Sequence, residues 1–269
     1  MSSKQARLAA VLEAGGPLVI GFSGGADSAL LACMGRRVLG KSGALCVTAV
    51  SASLAPEELE DCRRLAGSLD LEWLPVETHE LENAAYAANG PDRCYHCKSE
   101  LMEALVPLAE KRGATVALGV NLDDLGDHRP GQAAARERGA VFPLVAAGLT
   151  KSDVRALSGQ IGLETADKPA AACLASRLPY GTPVTLGRLD QVAAAESGLR
   201  RLGFRALRVR HYGELARVEV PEGDFEKVLA LRSEVVAALQ AAGYRYVTLD
   251  LEGLRSGNLN DALGLAARH

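Results

Sequence analysis

The sequence predicts an α/β fold, a parallel sheet covered by helices, followed by a smaller C-terminal α+β domain. Three observations predict it. Short apolar runs at Leu18 to Phe22, Ala44 to Val50 and Leu71 to Val76 alternate with helix-length segments, and a β-α-β-α-β order calls for parallel strands with helices on both faces. Beyond a loop-like stretch with three prolines the order changes to helix, strand, strand, helix, strand. With 48% hydrophobic and 23% charged residues over 269 positions, the chain has the composition of a soluble globular protein with a core that needs no staples.

Taken in order, residues 1–16 read as a short amphipathic helix. Leu18 to Phe22 is a buried strand, and Ala29 to Met34 opens the next helix. Ala44 to Val50, the loop from Ser51, and a helix over Pro56 to Leu69 follow, with a strand over Leu71 to Val76. A polar excursion over Asn83 to Lys98 precedes a helix from Lys98 to Arg112 and a strand from Thr115 to Val120. Thr150 caps a helix that starts at Lys151. Ala166 to Thr185 is loop-like, dividing the chain into a domain over 1–168, an active-site loop and hinge over 169–185, and a small domain over 186–269. There the elements are a helix (Leu186 to Leu202), strands (Arg205 to His211 and Leu215 to Val220), a helix (Gly223 to Ala242) and a strand (Tyr244 to Leu251). The turn at Tyr212-Gly213 favours a hairpin between the middle strands.

The most informative stretch is Ser23-Gly24-Gly25-Ala26-Asp27-Ser28, set between a buried strand and a helix. Unpaired backbone N–H groups and the positive end of the helix dipole meet there, which suits an anion, phosphate above all. The Gly-Lys-Ser/Thr ending of kinases and GTPases is absent, as is the three-glycine spacing of a dinucleotide site. The bland reading is a tight connection and no more. Ligands of parallel sheets bind beyond the carboxyl ends of the strands, so the loop from Ser51 faces the same edge and Val50 to Leu54 would border an adenine. Asp123, Asp124, Asp127 and Arg129 reach that edge too, or serve as turn and capping chemistry.

The first sixteen residues lack an apolar signal core and no window approaches eighteen apolar residues, so a cytoplasmic location and no membrane partner are expected. The formal net charge of −3 argues against a general nucleic-acid binder. Glu196 to Arg217, however, carries six arginines against two glutamates, a local basic patch that fits a discrete phosphate or carboxylate ligand, or else a solvated face.

Six cysteines without an export signal read as thiols or ligands, not disulfides. Cys33, Cys46 and Cys62 lie in apolar settings and read as core residues. Cys94-Tyr95-His96-Cys97 precedes a helix, whose positive end eases thiol deprotonation. No second C-x-x-C exists to complete a zinc site. With Cys173 the pair makes three thiolates, as an iron–sulfur cube with one open iron requires, and unligated thiols are the alternative.

The SGGADS loop resembles that of the PP-loop ATP pyrophosphatases, the adenine nucleotide alpha hydrolase-like fold, in which it holds the β and γ phosphates as leaving group. RCYHCK (Arg93 to Lys98), GVNLDDLGDHRPG (Gly119 to Gly131), LTKSDVR (Leu149 to Arg155), KPAAACLASRLPYGTPVT (Lys168 to Thr185) and RVRHYGELARVEV (Arg208 to Val220) occur in the order seen in the LarE family. The resemblance spans nearly the whole chain, and its ACLASR-PYGTP block is far more specific than the phosphate loop.

The resemblance implies an ATP-dependent, AMP- and pyrophosphate-forming sulfur transferase of nickel-pincer nucleotide synthesis. Such an enzyme adenylates a carboxylate of a pyridinium dicarboxylate mononucleotide and converts it to a thiocarboxylate. Cys173 matches the cysteine that gives up its sulfur, with Arg177 or Lys168 to favour the thiolate. Ser23, Gly24, Gly25, Asp27, Ser28, Ser51 and Arg129 would bind the nucleotide, with Asp27 orienting the loop or its Mg2+. Arg208 and Arg210 match phosphate-holding positions, and Glu196 and Glu219 match acidic metal positions. Relatives with C-x-x-C plus a distant cysteine hold a [4Fe-4S] cluster, which here would use Cys94, Cys97 and Cys173. A homo-oligomer is implied as well. Competing readings are a PP-loop tRNA thiolase or amide-forming synthetase, and a nucleotide-binding module without chemistry.

Overall fold

The computed structural model describes residues 3–125, 130–169 and 172–255. It forms two compact units. The first comprises Met1–Glu80 and Cys94–Ala171, the second Leu81–Arg93 and Ala172–His269.

The first unit starts with α1 (Ser3–Gly15), which buries Leu8 and Leu12 one turn apart. β1 (Leu18–Gly21) is apolar throughout because it is the inner strand of a sheet covered on both faces. It runs into α2 (Ala26–Leu39), β2 (Ala44–Val50), α3 (Pro56–Ser68) and β3 (Glu72–Glu77). The chain then makes the short α4 (Ala84–Ala87) of the second unit before returning in α5 (Arg93–Arg112), β4 (Thr115–Leu118), α6 (Pro130–Glu137), α7 (Pro143–Ala146) and α8 (Lys151–Gln160). All pairings are parallel and the strand order is β3-β2-β1-β4. Pro75, which cannot donate to a ladder, sits in the edge strand β3. Leu18 and Ile20 turn to a core built with α1, α2, α3 and α8, while Val19 turns to a second core with Met102, Leu105 and Ala135 of α5 and α6. Cys33, Cys46 and Cys62 are buried thiols, as their settings predict. Burial pushes the Cys46 thiol up to about 12.

From β1 the chain steps outward to β2 and β3, then lands on the other side of β1 at β4. The order therefore reverses between β1 and β4, where open α/β sheets bind ligands.

In the second unit α9 (Leu186–Arg201) starts on the Thr185 side chain, which accepts from Arg188 N. β5 (Arg208–Tyr212) and β6 (Leu215–Glu219) form the expected antiparallel hairpin, with Tyr212 facing Leu215. α10 (Phe225–Ala230) and α11 (Arg232–Ala241) cross over to β7 (Tyr246–Leu249), which pairs parallel to β6. Val209, Ala216 and Val218 meet Leu199 and Leu239 in the core of this unit. The single helix expected from Gly223 to Ala242 is two, broken at Leu231 (φ −99°, ψ 23°) with neither glycine nor proline at the break. Among the described residues no helix is long and apolar enough to cross a membrane.

Candidate active site

At the end of β1, Gly24 has φ +67°, a conformation glycine adopts without strain. A Cβ there would fall 2.9 Å from Cys62 Sγ. Gly25 caps α2 without a side chain, so the first N–H groups of α2 stay open to an anion. Ser28 Oγ donates to Gly25 O (3.2 Å) and, having one proton, accepts from Ser23 N (3.2 Å) and Ser23 Oγ (3.1 Å). These bonds close the loop on itself.

A cavity of about 230 Å³ opens at this edge, with Val47, Leu54 and Phe142 as apolar walls and Ser23, Asp27 and Lys98 at its polar end. Apolar lining together with hydroxyl donors and a cation suits a ligand with an apolar body and charged groups. Leu54 borders it as expected. Ser51 instead shapes the turn, its Oγ accepting from Ser53 N at 3.2 Å and its carbonyl from Leu54 N at 3.0 Å. Arg129 and Asp127 lie outside the described residues.

Gly119 is what lets β4 end against the phosphate loop, since a Cβ there would lie 2.8 Å from Ser28 N and 2.9 Å from the Asp27 carbonyl carbon. Both are backbone atoms that no rotamer change can clear. Gly119→Ala is expected to cost about 1–3 kcal/mol of stability and to weaken ATP binding by about tenfold or more, as isothermal titration would measure.

Asp27 is held by two residues that sequence reasoning had not placed here. Asn121 Nδ2 donates to its Oδ1 (3.0 Å) and Lys151 Nζ to its Oδ2 (2.5 Å). Asn121 is buried, its Oδ1 accepting from Asp123 N at 2.9 Å, and Asp123 in turn accepts from Lys151 N at 2.8 Å. Lys151 thus offsets a carboxylate that would otherwise repel an anion next to it. Its only sequence signal was its position inside LTKSDVR, directly after the capping Thr150.

In the second unit Cys173 is exposed at the head of the short turn Leu174–Arg177. Its carbonyl accepts from Ser176 N (2.9 Å) and Ser176 Oγ (2.7 Å). Arg177, expected to favour the thiolate, directs its donors to Glu196 and to the backbone around the cysteine. Nε and Nη2 fork onto Glu196 (2.7 and 3.1 Å), while Nη1 donates to Ala172 O (2.7 Å) and Cys173 O (3.2 Å). It braces the backbone around the cysteine. Lys168, the other expected partner of the thiolate, is paired with Glu58 and Asp61 of α3, both at 2.8 Å. Burial works against its charge, but these hydrogen bonds win and raise its pKa.

Glu196 and Glu219, expected at metal positions, each accept hydrogen bonds from arginines. Glu196 is fully buried and accepts from Arg177, from Arg200 (3.1 Å) and from Val209 N (3.1 Å), which leaves a carboxylate little capacity for an ion. Glu219, also fully buried, accepts from Arg210 Nε (2.9 Å) and Arg217 Nη2 (3.1 Å). Arg210 further donates to Ser176 O at 2.6 Å. Arg208 differs from its neighbours, for it donates to the Arg255 carbonyl (2.7 Å) and, among the described residues, pairs with no carboxylate. Burial first, then the charges of Arg210 and Arg177, lower its pKa. The carboxylates of Glu219 and Glu196 act on it in the opposite direction without a direct ion pair.

Cys94 and Cys97 lie inside α5, not before it. The backbone turns at Gly90, with Arg93 N donating to Gly90 O (3.0 Å), and winds directly into the helix. Three residues apart, the thiols share a helix face. Cys94 is exposed, and Cys97 Sγ lies 3.9 Å from Oε1 of the buried Glu80. Burial raises the Glu80 pKa. Among the described residues no three His, Cys, Asp or Glu side chains are grouped to hold a metal ion.

Comparison with known proteins was informative across the whole chain. Residues 10–104 match the NAD synthase family. An uncharacterized protein of Synechocystis sp. is 46% identical over 91% of this chain and 92% of its own length. The pyridinium-3,5-bisthiocarboxylic acid mononucleotide synthase of Lactiplantibacillus plantarum is 38% identical over 98% of this chain and 96% of its own. An uncharacterized protein of Methanocaldococcus jannaschii is 27% identical over 89% and 91%.

Proposed function

Because the chain belongs to the LarE family, that of the L. plantarum synthase, we propose that it is an ATP-dependent sulfur transferase of nickel-pincer nucleotide synthesis, acting on a pyridinium dicarboxylate mononucleotide. ATP enters the cavity at the sheet edge, and the Ser23 to Ser28 loop takes the β and γ phosphates with the open N–H groups of α2. Asp27, steadied by Asn121 and Lys151, would orient the loop or hold the Mg2+ that accompanies ATP, an ion that would neutralise phosphate charge. A substrate carboxylate oxygen bonds to the α-phosphorus and pyrophosphate leaves with the electron pair of the broken P–O bond. The acyl adenylate so formed has a good leaving group in AMP. Arg208, with Arg210, takes the substrate phosphate. The Cys173 thiolate then bonds to the acyl carbon and AMP departs. Loss of the Cys173 Cα proton with cleavage of its Cβ–S bond leaves a thiocarboxylate on the substrate and dehydroalanine in the chain.

The observation that carries this reading is the exposed Cys173 on a turn braced by Arg177. The test is incubation with ATP and pyridinium-3,5-dicarboxylate mononucleotide. Pyrophosphate should appear only when the mononucleotide is present, and the protein should lose one H2S at Cys173 by peptide mass. Pyrophosphate release that needs RNA or an amine instead would transfer the chain to the tRNA thiolases or amide synthetases, and no release would leave a binding module.

A second reading rests on the shared helix face of Cys94 and Cys97. With Cys173 they would ligate a [4Fe-4S] cluster that supplies an exchangeable sulfide. Anaerobic reconstitution separates the two: iron-containing protein whose Cys173 survives turnover supports the cluster, and iron-free protein with dehydroalanine at 173 supports the sacrificial thiol.

A further inference from the structure

We propose that Asn89 and Arg93 form a clamp that positions Cys173 for sulfur transfer, an inference that rests on the role of Cys173 given above. Asn89 is fully buried and holds φ +57°, a conformation that asparagine tolerates better than most residues. The donors of its side-chain amide go to the segment that follows Cys173. Nδ2 donates to Pro179 O and Thr182 O, both at 2.8 Å, with Leu178 O at 3.4 Å. Oδ1 accepts from Arg93 Nη1 (2.6 Å), and the Asn89 carbonyl accepts from Gly181 N (3.0 Å). Arg93, itself 5% exposed, donates the same Nη1 to Ala175 O at 2.8 Å.

The stretch from Leu178 to Thr185 has no helix or strand to satisfy its backbone, so buried carbonyls there need side-chain donors. Asn89 and Arg93 supply them from Ala175 to Thr182, and Arg177, anchored on Glu196, supplies them at Ala172 and Cys173. The cysteine turn is therefore gripped from both sides by groups that lie 82 to 93 residues away or across a buried ion pair. None of these bonds of the Asn89 side chain goes to the β5-β6-β7 sheet. Loosening the clamp should displace the thiol while leaving adenylation, assigned to the first unit, intact. Misplacing a reacting group by about 1 Å is enough to cost roughly a hundredfold in rate.

Asn89→Asp keeps the shape and the acceptor for Arg93 and removes the donors. In single-turnover assays with ATP and the pyridinium mononucleotide, thiocarboxylate formation should fall by about tenfold or more. Pyrophosphate release should stay within about twofold of wild type, and iodoacetamide labelling at Cys173, read by peptide mapping, should change in rate. Arg93→Lys is read the same way should Asn89→Asp not fold. Unchanged transfer, or transfer and pyrophosphate release falling together, overturns the clamp, as does loss of folding in both variants. Wild-type protein that releases pyrophosphate yet is iron-free and keeps Cys173 intact overturns the role of Cys173 and the clamp with it, whereas wild-type transfer with unaffected variants overturns the clamp alone.

Discussion

Cys173→Ala protein is expected to release pyrophosphate from ATP in the presence of the pyridinium mononucleotide at close to the wild-type rate while forming no thiocarboxylate. The two half-reactions use different groups. Pyrophosphate departs from the Ser23 to Ser28 loop, whose bonds run among Ser23, Gly25 and Ser28. In the proposed mechanism sulfur comes from the exposed thiol of Cys173, which caps the turn Leu174–Arg177. Removing the sulfur leaves Arg177 free to keep its bonds to Ala172 O and to Glu196, since these go to backbone and to carboxylate, not to Sγ. The turn should therefore stay in place and the adenylate should accumulate or hydrolyse. The measurement is paired, pyrophosphate by a coupled assay and thiocarboxylate by mass spectrometry. Thiocarboxylate from the variant would remove Cys173 from the mechanism, under both the sacrificial and the cluster readings.

Glu196→Ala is expected to cost about 3–5 kcal/mol, the scale of breaking a buried ion pair from one side. The carboxylate is fully buried between Arg177, Arg200 and Val209 N. Truncation would leave the Arg177 guanidinium, at 5% exposure, charged and unpaired on its Glu196 side, with the cost of an unmade hydrogen bond added at Val209 N. Urea unfolding should show a lowered midpoint for Glu196→Ala and a smaller shift for Glu196→Gln, which keeps an acceptor oxygen. A loss under about 1 kcal/mol for the alanine variant would fall in the range of an exposed pair and would contradict the buried-anchor role.

The α/β class was legible because strand and helix periods are written locally. Ala44 to Val50 reads as a strand and is one to the residue, and the Ser23 to Ser28 loop falls where a buried strand must break before a helix. Capping was equally readable at Thr150, whose hydroxyl completes the capping box with Asp153. Boundaries without an apolar period were less so. Cys94 to Cys97 offers no such pattern, and only the turn at Gly90 shows that α5 begins at Arg93. The break at Leu231 has no breaker residue to announce it.

Within the candidate sites, the residue types were visible and their partners were not. Arg177 stands four residues after Cys173, yet its charge goes to Glu196 and to backbone carbonyls. Glu196 and Glu219 look like ligands for an ion and hold arginines. Lys151 and Asn121 reach Asp27 from 124 and 94 residues away, and Asn89 meets Pro179 across 90.

The amino-acid order alone therefore dictated the parallel sheet, the phosphate loop at its edge and the family, since these follow from backbone sterics, side-chain period and motif. Which carboxylate takes which arginine, and what steadies the turn bearing Cys173, was decided by the folded chain. A buried charge or carbonyl must find a partner wherever packing brings one, and that partner carries no mark in the local sequence.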